Sequence, residues 1–399
     1  MGDNTIKFAD LFAGIGGFHL AVSKFAKEKN KKSLPVVVSE NDLDAQLVYK
    51  KNFHTDICGD IRTLNPTDFP DFDILFAGFP CQPFSKGGKR EGFADDTRGT
   101  LFFDVVRFLQ EKKPKYFLLE NVSNLVSHDN GNTYAIITGA LRELGYSIPD
   151  KPLVISPVSI GIPSLRSRVY IPGVLQHDNQ EFDFSKIYSI FQNNNKNDLS
   201  IYTIISNDPV DEKYYISDYE KNVLDMWDEF YQGIEQKVIG FPVWSEEFGV
   251  DYDYSDLPRW KQNFIQKNRD LYNANKQFLD LWLKKYIGFT ELKKTHKKFE
   301  WQAGTHCHSV YDGLIQFRPS GIRVKRPNYF STLVAMNHSQ IVGPLKRRLS
   351  PQETQRLQSF PRNFMLHPDD RVALKQLGNA VNVEVVYNII KFIFEHDES

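Results

Sequence analysis

Asp73-Ile-Leu-Phe-Ala-Gly-Phe-Pro-Cys-Gln-Pro-Phe-Ser85 is the stretch whose reading decides the fold. Its opening Asp73-Ile-Leu-Phe-Ala77 is a short apolar run bounded by turn residues, which predicts a strand buried in a parallel sheet. Open α/β sheets gather ligands beyond the carboxyl ends of their strands, so Gly78, Phe79, Pro80 and Cys81 fall where chemistry is normally done. Gly78 permits close backbone approach, and Pro80 and Pro83 stiffen the turn on either side of the thiol. A lone cysteine is more often a small buried hydrophobe. Two prolines and a glycine around Cys81 favour a fixed, exposed thiol instead, which is what a nucleophile requires.

Toward the N-terminus, Lys7-Phe-Ala-Asp-Leu-Phe12 predicts a strand, Ala13-Gly-Ile-Gly-Gly17 a turn, and Phe18 to Lys29 a helix with Phe18, Val22 and Phe25 at helical spacing. Glycines in such a turn let a cofactor approach the backbone while the helix offers free amides. The spacing does not match the GxGxxG of a dinucleotide site. Pro35 to Ser39 predicts a second strand ending in Glu40, where a carboxylate can accept two hydrogen bonds from ribose hydroxyls. Ile57-Cys-Gly is expected as a third strand, with Asp60 at its end placed to hold an adenine amino group.

Beyond Cys81, the glycine-rich and charged segment 86–99 reads as a lid. A helix is expected over about Thr100 to Gln110, then an apolar strand, Lys115-Tyr-Phe-Leu-Leu119, that ends in Glu120. A partly desolvated carboxylate there can become a proton donor with a raised pKa, although salt bridging or helix capping is the commoner use. A helix from Asn132 to Leu144, stopped by Gly145, precedes a strand over Val154 to Val158. Arg166 and Arg168 then share one face of an extended segment, which suits two guanidinium groups converging on an anionic or carbonyl-rich ligand.

With 399 residues, 41% of them hydrophobic, the chain has ample material for a core without staples. Cys58, Cys81 and Cys307 contain no CxxC pair, so neither a disulfide framework nor a zinc pattern is expected, and a reducing cytoplasm is the natural compartment. The adjacent His306, Cys307 and His308 lack the further ligands a metal needs, so no metal is expected. No long apolar run suggests a membrane. The net charge is −1, but it is unevenly spread: residues 181–256 hold 17 acidic against 5 basic, and 284–348 hold 13 basic against 3 acidic. Such asymmetry can focus a field on one face.

These segments together resemble the bacterial DNA (cytosine-5) methyltransferases of restriction-modification systems, the HhaI- and HpaII-like class. DLFAGIGGF resembles the family's adenosylmethionine turn and GFPCQPFS its catalytic loop. DTRGTLFFDVVRF, ENVSNL, HDNGNT and GIPSLRSRVYI resemble successive family blocks in order, and RRLSPQETQRLQSFPRNF and KQLGNAVNVEVV the two closing ones. The resemblance covers most of residues 6–175 and 346–392. It implies an α/β fold, a Rossmann-like methyltransferase with a mixed, mostly parallel sheet, plus a smaller target-recognition domain. The catalytic domain would occupy 1–180. The recognition domain, with an acidic aromatic insertion near 211–256, would occupy 181–345. Residues 346–399 would supply a hinge segment, with Ser350 and Glu353 spaced as a capping box, and a C-terminal helix from about Val381 to Glu395.

The resemblance also implies roles. Cys81 adds to C6 of a flipped cytosine, Glu120 protonates N3, and Arg166 and Arg168 hold the base. Phe12 stacks on S-adenosyl-L-methionine, Gly14 and Gly16 admit it, Glu40 binds its ribose and Asp60 its adenine, with Ile15, Asn41, Ile61, Pro80, Leu101, Asn379 and Ala380 completing the pocket. Ser85, Arg318, Arg323, Lys325, Arg326 and Thr332 are the expected contacts to double-stranded DNA. A cognate restriction endonuclease acting on the same site is the implied partner, and a monomer the implied state. Ser164 stands where the family usually has Gln, and Ala380 where Ser is frequent. A tRNA cytosine-5 methyltransferase shares the chemistry but not the long middle region. A nicotinamide oxidoreductase explains neither Cys81 nor the paired arginines, and a non-enzymatic DNA-binding relative would not need Cys81, Glu120, Arg166 and Arg168 together.

Overall fold

The computed structural model describes residues 4–80, 101–176, 181–192, 198–206, 210–237, 239–286, 292–331 and 340–397. Cys81, Ser85, the expected lid at 86–99 and Thr332 lie outside the described residues. The chain forms two compact units, one of Met1–Leu199 with Thr354–Ser399 and one of Ser200–Glu353.

The first unit is built on β1 (Thr5–Leu11), β2 (Lys32–Ser39), β3 (Ile74–Ala77), β4 (Tyr116–Val122), β5 (Tyr146–Ser147), β6 (Leu153–Ile155) and β8 (Arg168–Leu175), with the two-residue β7 (Ser164–Leu165) outside that sheet. The strand order is β2-β1-β3-β4-β8-β5, with β6 also on β8. β2, β1, β3 and β4 are parallel, whereas β8 runs antiparallel to β4, and β5 and β6 antiparallel to β8. The reversal places the carboxyl end of β4 beside the amino end of β8, so Glu120 and Arg168 meet.

Both faces of the sheet are covered, which is why its strands read as continuous apolar runs. Ile6, Phe8, Ile74, Phe76, Tyr116 and Leu118 face a cluster with α1 (Gly17–Glu28), α2 (Leu43–Phe53) and α11 (Val383–Asp397). Ala9, Leu11, Leu75, Ala77, Phe117 and Leu119 face α3 (Leu101–Lys112) and α4 (Asn132–Glu143). α10 (Asp370–Asn379) leads into α11, and the segment from 370 to 397 is apolar enough by composition to resemble a membrane span. Its most apolar window is 72% buried within this core. Two expectations need correction. Ile57–Gly59 is not a strand: among the described residues its one backbone bond to β2 is Cys58 N donating to Val38 O at 2.8 Å, before a 3-10 turn at Ile61–Thr63. The strand expected at Val154–Val158 ends at Ile155, because Pro157 opens another 3-10 turn.

Asp10, on β1, is wholly buried between α1 and α2. Burial, and then the charge of Glu40, push its carboxyl well above the usual carboxylate range, while the facing Tyr49 hydroxyl pulls the other way. Tyr49 also meets His19 Nδ1 at 2.8 Å, and burial lowers that imidazole to about 4, so it is neutral at pH 7. A carboxyl whose folded pKa is raised binds its proton more tightly folded than unfolded. Stability therefore falls as pH rises from the ordinary value through the raised one. Asp10→Asn should flatten that slope and gain on the order of 1 kcal/mol at pH 8; chemical denaturation from pH 5 to 9 checks it, and an unchanged slope would contradict it.

The second unit holds α6 (Asp218–Gly233), α7 (Arg259–Ala274), α8 (Lys276–Lys285) and a six-stranded sheet of β9 (Val243–Trp244), β10 (Lys298–Gln302), β11 (Leu314–Arg318), β12 (Gly321–Lys325), β14 (Ile341–Val342) and β15 (Arg347–Arg348). Its core is aromatic: Trp227 stacks on Phe299 with ring centroids 4.8 Å apart, and Tyr231 on Trp301 at 3.7 Å. Much of the acidic aromatic stretch 211–256 therefore turns its rings inward. Ser217 and Glu220 form a reciprocal capping box at the start of α6. Cys307 is buried in the same core.

Candidate active site

A cleft of about 1030 Å³ opens at the carboxyl ends of β1, β2, β3 and β4. Each strand end delivers part of it. After β1, Phe12 takes a left-handed backbone (φ 58°), a conformation costing roughly 1–2 kcal/mol for an L-residue, and Gly14 follows at φ 53°. This turn is held by Ala13 N bonding Ser39 O at 2.9 Å. After β2, the Glu40 carboxylate accepts from Gly14 N and Asp42 N, both at 2.8 Å, and so ties the two loops together. Ser39 Oγ donates to Gly59 O at 2.7 Å, which brings Asp60 and Ile61 to the cleft wall.

Phe12, Gly14, Ile15, Glu40, Asn41, Asp60, Ile61, Pro80, Leu101, Asn379, Ala380, Glu120, Arg166 and Arg168 all line this one cleft. Gly16 does not. Its φ is 88°, and a Cβ there would lie 2.2 Å from the Phe53 ring, so Gly16 serves the turn and its packing. The Asp60 side chain caps its 3-10 turn through Arg62 N at 3.0 Å and pairs with the Arg62 guanidinium, which holds its carboxyl below the usual range. Reading the sequence missed Gln376. It is buried, lines the cleft, and neither atom of its side-chain amide has a hydrogen-bond partner among the described residues. Its only sequence signal was its place in KQLGNAV, three residues before Asn379.

The far end of the cleft belongs to Glu120. On β4 it alternates onto the α1 side, and cross-strand from it lies Tyr170, with Arg168 one diagonal step away opposite Val122. Arg168 Nε stands 3.1 Å from Glu120 Oε1, and both side chains are largely buried. Burial raises the Glu120 pKa, and Arg168 and Arg166 partly offset that rise. Arg166 is itself lowered to about 10 by burial and by Arg168, with Glu120 acting the other way, so it stays charged at neutral pH. Its Nη2 donates to Ala380 O at 3.2 Å, linking the guanidinium pair to the end of α10.

The loop leaving β3 reaches this corner from the described side. A Cβ at Gly78 would lie 3.7 Å from Glu120 Oε2, and Asn121, one residue past Glu120 and on the opposite sheet face, donates to Phe79 O at 2.9 Å. Asn121 therefore holds Phe79, and Glu120 lies beside Gly78, the two residues that precede Pro80. In the second unit, Arg318 and Arg323 meet Glu300, and Lys325 meets Ser331 Oγ at 3.2 Å with the Tyr329 ring 4.7 Å away. Arg326, the remaining cation of that group, is partly buried.

A mostly parallel sheet with a glycine turn after β1 and a cleft at its strand ends is a Rossmann-like arrangement. The family model for C-5 cytosine-specific DNA methylases matches residues 6–395, and the chain belongs to that family. It is a DNA (cytosine-5)-methyltransferase. Among its relatives, type II methyltransferase M.BanI of Aneurinibacillus aneurinilyticus is 34% identical, covering 98% of this chain and 96% of its own. M.HhaI of Haemophilus parahaemolyticus is 31% identical, covering 97% and 93%. Among solved structures, the S. pombe Dnmt2 methyltransferase shares the fold at TM-score 0.54 and 18% identity, covering 98% of both chains. The Entamoeba histolytica methyltransferase EhMeth does so at 0.52 and 15%, again covering 98% of both.

Proposed function

We propose that this protein transfers a methyl group from S-adenosyl-L-methionine to C5 of one cytosine within a specific short word of double-stranded DNA, in a bacterial cytoplasm and alongside a cognate endonuclease. The observation that carries the reading is the buried Glu120–Arg168 corner placed against Gly78, three residues before Cys81. The cleft fits the cosubstrate: Glu40 ties the glycine turn, Phe12 offers a ring, and the unsatisfied Gln376 amide leaves a donor and an acceptor for the polar amino-acid end. When bound, S-adenosyl-L-methionine supplies an electrophilic methyl on a sulfonium.

Cytosine C5 is too weak a nucleophile to take that methyl unaided. The Cys81 thiolate adds to C6, the ring electrons move toward N3, and Glu120 delivers a proton to N3. The enamine so formed attacks the methyl through C5, and the methyl–sulfur bond breaks with its electron pair left on sulfur as a neutral thioether. Loss of the C5 proton to a base and expulsion of the thiolate, with the N3 proton returning to Glu120, restore the aromatic ring and free the enzyme. Arg168 and Arg166 face the base from the corner and keep the deprotonated Glu120 balanced. Since C6 is inaccessible inside the duplex, the base must leave the stack.

A Glu120 carboxyl raised by burial stays protonated to higher pH than an exposed one, so the donor form declines as pH climbs through the raised value. Glu120→Gln should slow transfer on the order of 10²-fold and remove the alkaline limb of the pH profile at saturating DNA and cosubstrate. An alkaline limb identical to that of the wild type would assign it to another group. The function itself is tested by bisulfite sequencing of a diverse plasmid expressed with the protein. Protection of cytosines within one short word is the expected result. No protected cytosine, together with labelled-methyl transfer to tRNA, would overturn the DNA reading.

A further inference from the structure

The sheet of the second unit has one apolar and one polar face. On β12, Ile322 and Val324 are fully buried in the aromatic core, whereas Arg323 and Lys325 alternate to the other side. Register aligns Glu300 of β10, Arg323 of β12 and Gln316 of β11 as direct neighbours in one row across that polar face. In the adjoining row stands Gly321, opposite Arg318, where a Cβ would lie 2.8 Å from Lys298 O. Without a side chain at Gly321, Arg318 reaches over to Glu300, its Nη1 3.4 Å from Oε2. The register places four basic side chains, Lys298, Arg318, Arg323 and Lys325, on the face that carries Glu300.

The Arg323–Glu300 pair has a particular geometry. Nε donates to Oε2 at 2.8 Å and Nη2 to Oε1 at 3.0 Å, so the carboxylate grips the side edge of the guanidinium. Its outer edge, Nη1 with the second proton of Nη2, is taken by no group among the described residues. Glu300 is held in turn by Gln302 Nε2 and Arg318. A guanidinium fixed along one edge, with its two-pronged end free on a positively charged surface, has already lost most of its rotamer freedom and offers two parallel N–H donors. The acceptor pair that matches this fork on DNA is O6 and N7 of guanine in the major groove.

Resting on the DNA reading above, we infer that Arg323 reads one guanine of the recognition word and that Glu300 is the positioning residue that aims it. Gln316, whose side-chain amide also has no partner among the described residues, stands beside Arg323 where the neighbouring base edge would come. Arg318 acts on Glu300 rather than on DNA bases. A charge that only attracted phosphate would need no carboxylate gripping its side edge, and such a contact carries no sequence information.

The test uses the full-length protein with a plasmid library randomised around methylated sites, read by bisulfite sequencing for the wild type, Arg323→Ala, Arg323→Lys and Glu300→Gln. The wild type should require guanine at one position besides the partner of the methylated cytosine. Arg323→Ala should weaken that requirement at that position alone by roughly 5- to 150-fold. Arg323→Lys keeps the charge but lacks the fork, and should relax the same position. Glu300→Gln should relax it partially, at the same position, with thermal melting unchanged within a few degrees. A uniform fall over all words with every base preference intact would make Arg323 a phosphate contact and overturn the inference while leaving the DNA reading standing. Changes at a different position for Glu300→Gln than for Arg323→Ala would overturn the positioning role. No methylated word from the wild type would overturn both readings together.

Discussion

Cys81→Ala should retain binding of S-adenosyl-L-methionine and duplex DNA but lose methyl transfer by at least about 10⁴-fold, the scale on which removing a covalent nucleophile acts. The reason is electronic. Without a thiolate at C6, C5 has no enamine character and the cosubstrate's methyl meets an aromatic ring. Binding should survive because the proposed cosubstrate groove is lined by other residues, Phe12, Gly14, Glu40 and Gln376, carried by the ends of β1 and β2 and by α10. Titration calorimetry with the cosubstrate, gel shift with methylatable duplex and transfer of a labelled methyl separate the three quantities. Transfer retained within tenfold would sink the covalent mechanism and leave Glu120 to activate the base by protonation alone.

Glu353→Ala destabilises the second unit by about 3–5 kcal/mol, the cost of stranding a buried charge. Glu353 is 0% exposed and meets Arg347, itself nearly buried, through two bonds at 2.8 and 2.9 Å. Its carboxylate also accepts from Ser206 N and Ser350 N, both at 2.9 Å. Burial alone would raise its pKa, but the Arg347 guanidinium and these amides more than offset that and hold it below the usual range. Stability from this group is therefore present above the ordinary carboxylate pKa and fades as pH falls through the lowered one. Because Ser206 and the Arg347 strand β15 are both tied to this carboxylate, its loss loosens segments far apart in sequence. Replacing both partners, Arg347→Met with Glu353→Leu, should recover most of the loss, since an apolar pair of similar volume leaves no unpaired charge. Urea unfolding of the three proteins decides it. A double variant no more stable than Glu353→Ala would mean that the backbone amides of Ser206 and Ser350, not Arg347, carry the effect.

Local signals carried a large part of the architecture. The apolar runs at Ile74–Ala77 and Tyr116–Leu119 announced strands buried on both faces, because only a sheet covered twice needs apolar residues at every position. DLFAGIGGF announced a strand, a turn and a helix, because left-handed turns call for glycine, and Phe12 alone adopts that backbone without being one. The Ser350–Glu353 spacing announced a helix start, and the reciprocal pair is formed, Glu353 N donating to Ser350 Oγ at 3.2 Å. Phe12, Glu40, Pro80 and Glu120 converge on one cleft for a simpler reason: each lies at or just past the carboxyl end of a parallel strand, and strand ends of one sheet are neighbours whatever their separation along the chain.

What the sequence by itself determined, then, was the order of elements, the carboxyl-end location of the chemistry and the candidate groups, since these follow from periodicity, turn residues and motif order along a single strand of text. Only the tertiary structure decided which groups touch. Gly17 reads as one more glycine of the turn, yet a Cβ there would lie 2.7 Å from Val381 Cγ2, a contact with a residue more than three hundred positions away. Gly16 left the pocket for Phe53, and Gln376 entered it unannounced. Arg318 and Arg323 read as DNA contacts, and the fold pairs both with Glu300. The raised carboxyl of Asp10 likewise has no sequence signature, and that of Glu120 had only its place at a strand end, because desolvation is a property of the atoms packed around a group and not of its neighbours in the chain.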